Sequence, residues 1–526
     1  FFERKNKLNF MRRKRGMRKK HGIIMALLCM LVFVLTACGG EKSTTAPAEK
    51  DTLIVADTSG PKTLDPRATN DNASSRVMVQ IYDTLVEQDE NTQIQPGLAE
   101  SWEQVDDVTT VFHLRKGVKF HNGEELKASD VKFSIDAMKA APQTSEIIEP
   151  LKEIVVLDDY TVKVITEFSY APLLNHLAHP AASIVNEKAV KEAGESYGQH
   201  PVGTGPFKFV EWQSGDSVTL EANEEYWKGA SPIKHLIFKS IVEITNRTIG
   251  LETGEIDIAY DIEGLDKMKI VEDPKLDLVE DLDLSMTYLG FNLRKAPFDN
   301  LKVRQAIAYA IDQQPIVDTV FQGAAFPANS IIGPKIFAHS DKGIKYQQDL
   351  EKAKILLAEA GYKDGFKTEI WINDNPTRRD IAVILQDQLK QIGIDAEVKT
   401  LEWGAYLDGT ARGDHQMFIL GWGTVTADPD YGINNLVSSK TLGAAGNRSF
   451  YSNPKVDELL QKGRATTEPE ARKAIYEEIQ VILQEELPMF YIIYPKKSVG
   501  MQKYIEGFKF NPAGHHRLYG VSFKAE

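Results

Sequence analysis

Pro201-Val202-Gly203-Thr204-Gly205-Pro206-Phe207 is the stretch on which the fold turns. Its alternating glycines and prolines can neither continue a helix nor hold a place in a strand ladder, so the segment reads as a hinge-like crossing between domains. Upstream, 111–114 alternates as a strand, Asn122-Gly123 signals a turn, and 155–165 reads as two strands about Asp158-Asp159. A helix capped by Ser129 runs to Met138 between them, and 186–193 is a second helical run. Downstream, 208–220 forms a hairpin around Ser214-Gly215-Asp216, followed by a strand at 233–241, a helix at 245–252 and a short buried strand at 256–259. At the start of the ordered chain, 53–56 is a buried strand and 74–85 a helix behind a Ser74 cap.

Beyond residue 303 the pattern becomes helix, strand, helix. Helices are expected at 350–361, 379–392 and, from a Thr467-Glu468-Pro469-Glu470 capping box, to Glu486 with Ala471, Ile475, Ile479, Ile482 and Leu483 as its core face. Strands are expected at 368–372, 396–401, 417–421 and 490–494. The class is α/β, with a strand-rich insert near 86–204, a helix-strand half near 291–494 and a late strand at Phe490.

The sequence has 526 residues and a formal charge of −13. A basic block from Arg12 to Lys20 precedes an apolar run from Ile23 to Leu35, the length of a signal-peptide core and short for a membrane span. Residues 1–37 are therefore set aside as a signal peptide, with Met11 or Met17 the expected start of translation. Those 37 residues carry ten of the 62 Lys and Arg and one of the 75 Asp and Glu, which leaves 52 against 74, or −22, for the remainder. So acidic a surface argues against nucleic acid and against adsorption to anionic lipid. Leu35-Thr36-Ala37-Cys38 resembles a bacterial lipobox, which implies a lipid on Cys38 and a flexible tether over 38–51. Cys29 falls in the leader, so the mature chain has no disulfide to form.

Gly194-Glu195-Ser196-Tyr197-Gly198 fits the nucleophile-elbow pattern of serine hydrolases, but a helix precedes it and a loop follows, the reverse of the required context. A secreted hydrolase using Ser196 is the outlying alternative. His515-His516 reads as a surface or loop pair, since adjacent strand residues point to opposite faces and no chelating spacing accompanies them. No metal and no cofactor is expected.

Gly97-Leu98-Ala99-Glu100-Ser101-Trp102, the run from Phe112 to His121, Pro201 to Phe207, Thr253-Gly254-Glu255-Ile256-Asp257 and Val303-Arg304-Gln305-Ala306-Ile307 together resemble the family 5 extracellular solute-binding proteins of ABC importers. The resemblance implies two lobes with a ligand cleft between them and an extra strand-rich domain, drawn as 52–85 with 205–290 and 495–526 (lobe I), 291–494 (lobe III) and 86–204 (extra domain II). It implies a monomeric, non-enzymatic receptor on the outer face of the bacterial cell membrane, which captures a short peptide, closes over it and delivers it to permease subunits. It also leaves a nickel-chelate or haem receptor as an alternative. Ligand contacts are expected where buried strands end in polar loops: Asp57 and Thr58, and the loop Trp422-Gly423-Thr424-Val425-Thr426-Ala427-Asp428. Trp422 would stack, and Thr424 and Thr426 would fix polar groups. The family's dipeptide binders carry an amine-binding aspartate three positions after the tryptophan. Here that position is Val425; Asp428 is the expected substitute, and the loop is closer to that of glutathione-binding-like members. Arg378, Arg379 and Arg412 are the candidate carboxylate partners.

Overall fold

A computed structural model describes residues 50–443 and 446–524; the leader, Cys38 and most of the tether lie outside them. The first strand, β1 (Thr52–Asp57), has parallel neighbours on both sides, which explains its fully buried Leu53, Val55 and Ala56. Helix α1 (Asn72–Ile81) follows, capped by Asp71, whose carboxylate accepts the Ser74 amide at 3.0 Å. Asp71 thus holds the cap expected of Ser74. The helix also stops at Ile81, short of residue 85. Asp83 is drawn instead to Thr204, Tyr226 and Trp227, which hold its carboxylate at 2.9–3.1 Å.

The strand-rich insert opens with the hairpin β2 (Val86–Gln88) and β3 (Ile94–Pro96). Its main sheet is antiparallel: β4 (Ala99–Asp106), β5 (Thr109–Leu114), β6 (Leu151–Asp158) and β7 (Thr161–Thr166), in the order β4-β5-β7-β6. Helix α2 (Ala128–Ala140) covers it and buries Val131, Ile135 and Met138. Its cap is Lys127, whose amide donates to the Asp130 carboxylate at 3.0 Å; Ser129 already lies inside the helix.

The crossing at 201–206 is irregular and packs on the end of α1. A β-carbon on Gly203 would stand 2.0 Å from the Ile81 carbonyl oxygen, and one on Gly205 2.5 Å from the Ile81 carbonyl carbon. These glycines are needed for close backbone approach.

Beyond the crossing come β8 (Phe207–Gln213), β9 (Ser217–Ala222), β10 (His235–Ser240), helix α3 (Ile244–Thr253), β11 (Ile258–Tyr260), helix α4 (Asp266–Glu272), β12 (Leu276–Leu282), β13 (Ser285–Phe291) and β14 (Ala325–Pro327). Helix α5 (Leu350–Glu359), β15 (Phe366–Asn373), α6 (Pro376–Lys390), β16 (Ile394–Leu401), α7 (Trp403–Arg412) and β17 (Met417–Gly423) form the later α/β half. Two helices, α8 (Pro454–Ala465) and α9 (Pro469–Glu486), lead into the 14-residue β18 (Met489–Gln502).

The sheet runs β16-β15-β17-β13-β18-β11-β1-β10-β9-β8, with β12 and β14 also paired to β18. Residues 489–495 of β18 pair with β13 and β14, whereas 496–502 pair with β11 and β12. The change of partners falls at Pro495, which has no amide to donate. The lobe boundary drawn after residue 494 thus lies inside one continuous strand, where its ladder changes sides.

The cap of α9 is Glu468 rather than Thr467. Ala471, expected in its core face, is exposed, while Arg472 beside it is buried. The reason lies in the site.

Candidate functional site

Strand β17 delivers the loop after Trp422, and that loop is heavily bonded. Both Asp428 oxygens accept from Arg472 at 2.7 Å, and Oδ1 also takes the Asp430 amide at 2.9 Å. Burial pushes the Asp428 carboxyl up, but the Arg472 pair more than offsets this and holds it below the usual carboxylate range. The carboxylate expected to meet a ligand amine is therefore committed to Arg472, and α9 turns that arginine inward to reach it. Thr424 and Thr426 are buried; the Thr424 amide donates to Leu284 O, and Thr426 Oγ1 accepts the Asp428 amide at 3.4 Å. Their hydroxyls shape the loop from within.

Three groups on this side keep capacity for a ligand. Trp422 packs against Tyr431 with ring centroids 5.8 Å apart, and its buried indole N–H has no partner among the described residues. Val425 faces the insert and the β1 side. Arg378, in the first turn of α6, donates to Asn373 Oδ1 at 2.6 Å and lies beside Gly421. Among the described residues no carboxylate reaches ion-pair distance of it, and burial lowers its pKa. Arg379 is exposed on α6. Arg412 is exposed at the end of α7 and paired with Asp414 at 2.8 Å, so it is not brought to the cleft.

On the β1 side, Asp57 accepts from Arg76 Nη1 at 2.5 Å and from the Thr58 amide at 2.6 Å, with the Thr58 hydroxyl at 3.3 Å. Arg76 also pairs with Asp261 at 2.9 Å and donates to Gly514 O. Burial raises the Asp57 pKa, and Asp261 adds to the rise against the pull of Arg76.

The two sides and the insert meet around about 30 Å³ of free volume, walled by Val79, Gln88, His179, Val425, His515 and Arg517 with their neighbours. The Thr426 carbonyl accepts from Gln88 at 2.7 Å and from Asn175 at 3.1 Å, both on the insert. Tyr170 of the insert donates to Asp430 at 3.1 Å. Little space is left at Val425, whereas about 600 Å³ stays open between the insert and the other side of the loop, beside Asn175, Ala427, Asp428 and Arg472.

The imidazoles were not legible as site residues. His515 and His516 are buried rather than on the surface. His179 and His515 stack edge to face at 6.2 Å, and His179 Nδ1 accepts the Ala181 amide, which leaves its Nε2 as the N–H. Burial lowers His179 and His516 to about 3 and His515 well below its ordinary value. Gln88, His179 and Arg517 stand in loops or at strand ends without a pattern, and no spacing signal marks them. Ser196 is exposed, and its hydroxyl donates to the Ala193 carbonyl at 2.8 Å.

Comparison with known proteins gives the same architecture. Residues 93–443 match the model for bacterial extracellular solute-binding proteins, family 5. Heme-binding protein A of Haemophilus influenzae is 33% identical over 94% of this chain and 98% of its own length. The dipeptide-binding protein of Escherichia coli is 31% identical (91% and 96%). A glutathione-binding protein of Salmonella choleraesuis is 32% identical (89% and 93%). Among solved structures, HbpA2 from Haemophilus parasuis superposes with a TM-score of 0.83 at 31% identity, over 90% of this chain and all of that one. The sheet order, the cleft and these matches together make the chain a member of the bacterial extracellular solute-binding proteins, family 5.

Proposed function

We propose that this chain is a lipid-anchored receptor of an ABC importer that captures short peptides, glutathione-like ones first, and presents them to a membrane permease by cleft closure. The observation that carries the ligand class is the charge of the cleft. Val425 stands where a dipeptide binder has its amine-binding carboxylate, Asp428 is spent on Arg472, and Arg378 is half-buried beside the Trp422 loop without a carboxylate. Such a wall suits a ligand with more carboxylates than amines, because a guanidinium takes a carboxylate bidentately. Glutathione has two carboxylates and one ammonium. The orphaned Trp422 indole N–H is one further donor for a ligand carbonyl.

Thermal-shift titration of the mature chain with glutathione, Ala-Ala, N-acetylated Ala-Ala and the nickel–histidine complex tests this. Glutathione is expected to raise Tm most. A rise with nickel–histidine alone moves the chain to the nickel class, and no rise with any peptide removes the peptide reading. Arg378→Gln is expected to weaken glutathione by about tenfold, roughly one charged hydrogen bond, at unchanged apo Tm. Labelled palmitate should enter the wild type and not Cys38→Ser; equal labelling removes the anchor.

A further inference from the structure

Helices α3 and α4 lie side by side on the β1 side of the sheet, joined by the Thr245 hydroxyl to Asp266 at 3.2 Å. Their outer face is apolar. Val242 is 71% exposed, Ile249 47%, Leu265 73%, Met268 53% and Val271 61%. Helix α4 buries only Ile270, so its apolar residues mostly face water. Single exposed apolar side chains are ordinary, but Leu265, Met268 and Val271 recur every three residues along α4 and share one face, with Ile249 on the adjoining helix, and so many uncovered apolar groups cost solubility.

The rim says what covers it. Glu243, Glu252, Glu255 and Glu272 are exposed on these two helices and their ends against one exposed cation without an ion pair among the described residues there, Lys275, whereas Lys267 and Lys269 are paired with Glu280 and Asp266. A second copy docked by two-fold symmetry would set these carboxylates against themselves. An anionic bilayer would be repelled. An apolar segment flanked by Lys or Arg is complementary.

The patch is also wired to the cleft. Arg247 of α3 is 1% exposed and donates to the carbonyls of Ile241, Val242 and Asp261 at 2.6–2.9 Å. Asp261, in the left-handed region at φ 51°, pairs with Arg76, and Arg76 holds Asp57 and the Gly514 carbonyl beside His515. The cleft wall is thus linked to Val242 through Arg76, Asp261 and Arg247, with Arg76 on the Asp261 carboxylate and Arg247 on its main-chain carbonyl.

We propose that the α3–α4 face docks an apolar, basic-flanked segment of the importer's permease. This rests on the receptor reading above. The test uses proteoliposomes carrying the cognate permease and reads ATP hydrolysis stimulated by the full mature chain, with and without glutathione. The triple variant Leu265→Ser, Met268→Ser, Val271→Ser changes only exposed side chains and is expected to melt like the wild type and to bind glutathione equally. Its stimulation is expected to fall about tenfold or more, as for loss of an interface anchor. Equal stimulation by variant and wild type overturns the patch and leaves the receptor reading standing. A wild type that never stimulates overturns both. If the variant instead loses self-association in sedimentation, or loses binding to phosphatidylglycerol vesicles, the occupant is a second copy or a bilayer, and the proposal fails. Glu252→Lys with Glu272→Lys is expected to reduce stimulation most at low salt; an unchanged salt dependence overturns the basic flank.

Discussion

Arg472 on the β17 side and Arg76 on the β1 side are both buried arginines paired with aspartate, yet they are balanced differently. Arg472 meets the single carboxylate of Asp428 with two bonds of 2.7 Å, and that carboxyl stays low. Arg76 is shared between Asp57 and Asp261; burial raises Asp57, whereas its charged neighbours hold Asp261 low. The first pair fixes a loop. The second leaves one carboxyl, Asp57, with its pKa raised by burial and joined to the Gly514 carbonyl through Arg76.

The largest expected effect breaks the first pair. Arg472→Met strands a buried carboxylate and should cost about 3–5 kcal/mol in denaturant unfolding. A loss under about 1 kcal/mol would mean that Asp428 is free to serve a ligand after all. Asp428→Asn should accordingly weaken free-amine and N-acetyl peptides alike.

Arg76→Met should cost less, about 2–3 kcal/mol at neutral pH, because Asp57 can neutralise itself. The sign distinguishes the clusters. A carboxyl whose folded pKa is raised costs stability as pH rises above its unfolded value, so the deficit of the Arg76 variant relative to the wild type should shrink as pH falls towards 4. Asp428 is lowered in the fold, so in the wild type its contribution is present above its unfolded value and is lost as pH falls through the lower folded one. If the deficit of the Arg76 variant against the wild type is the same at pH 4 and pH 7, the two clusters are not different.

Next come the imidazoles. His179 and His516 are lowered from 6.5 to about 3. The unfolded chain therefore binds protons that the folded chain refuses, and stability falls as pH drops below about 6.5, by up to about 1.4 kcal/mol per pH unit for each. Differential scanning calorimetry between pH 7 and 5 should show this, with a smaller decline in His179→Gln. Smallest is Arg412→Ala, an exposed pair, at under about 0.5 kcal/mol with no change in ligand binding.

Local pattern carried much of the architecture. The strands at 53–56 and 417–421 were legible because apolar runs between turns have few other uses, and the irregular crossing at 201–207 because of its Gly and Pro density; that Gly203 and Gly205 leave no room for a β-carbon against Ile81 came only with the structure. Helix starts were less legible, since Asp71, Lys127 and Glu468 took caps assigned to nearby Ser or Thr. Any of several polar residues can satisfy a free amide, and the backbone angles choose among them. Of the site, Trp422 and Arg378 were within reach, but His179, His515 and Arg517 were not, because residues brought together from the insert and the C-terminal segment leave no spacing to read.

The sequence by itself determined an α/β chain broken at 201–207, an acidic body behind a basic and then apolar N-terminal stretch, and membership of a family recognised by five separated motifs. Tertiary structure alone decided which charges are available. Asp428 looks free in the loop until α9 brings Arg472 across 44 positions. His515 looks like a surface residue until the C-terminal segment folds it against His179. Whether a charge serves a ligand or the fold depends on what lies within about 4 Å of it in space, and periodicity along a chain carries no record of that.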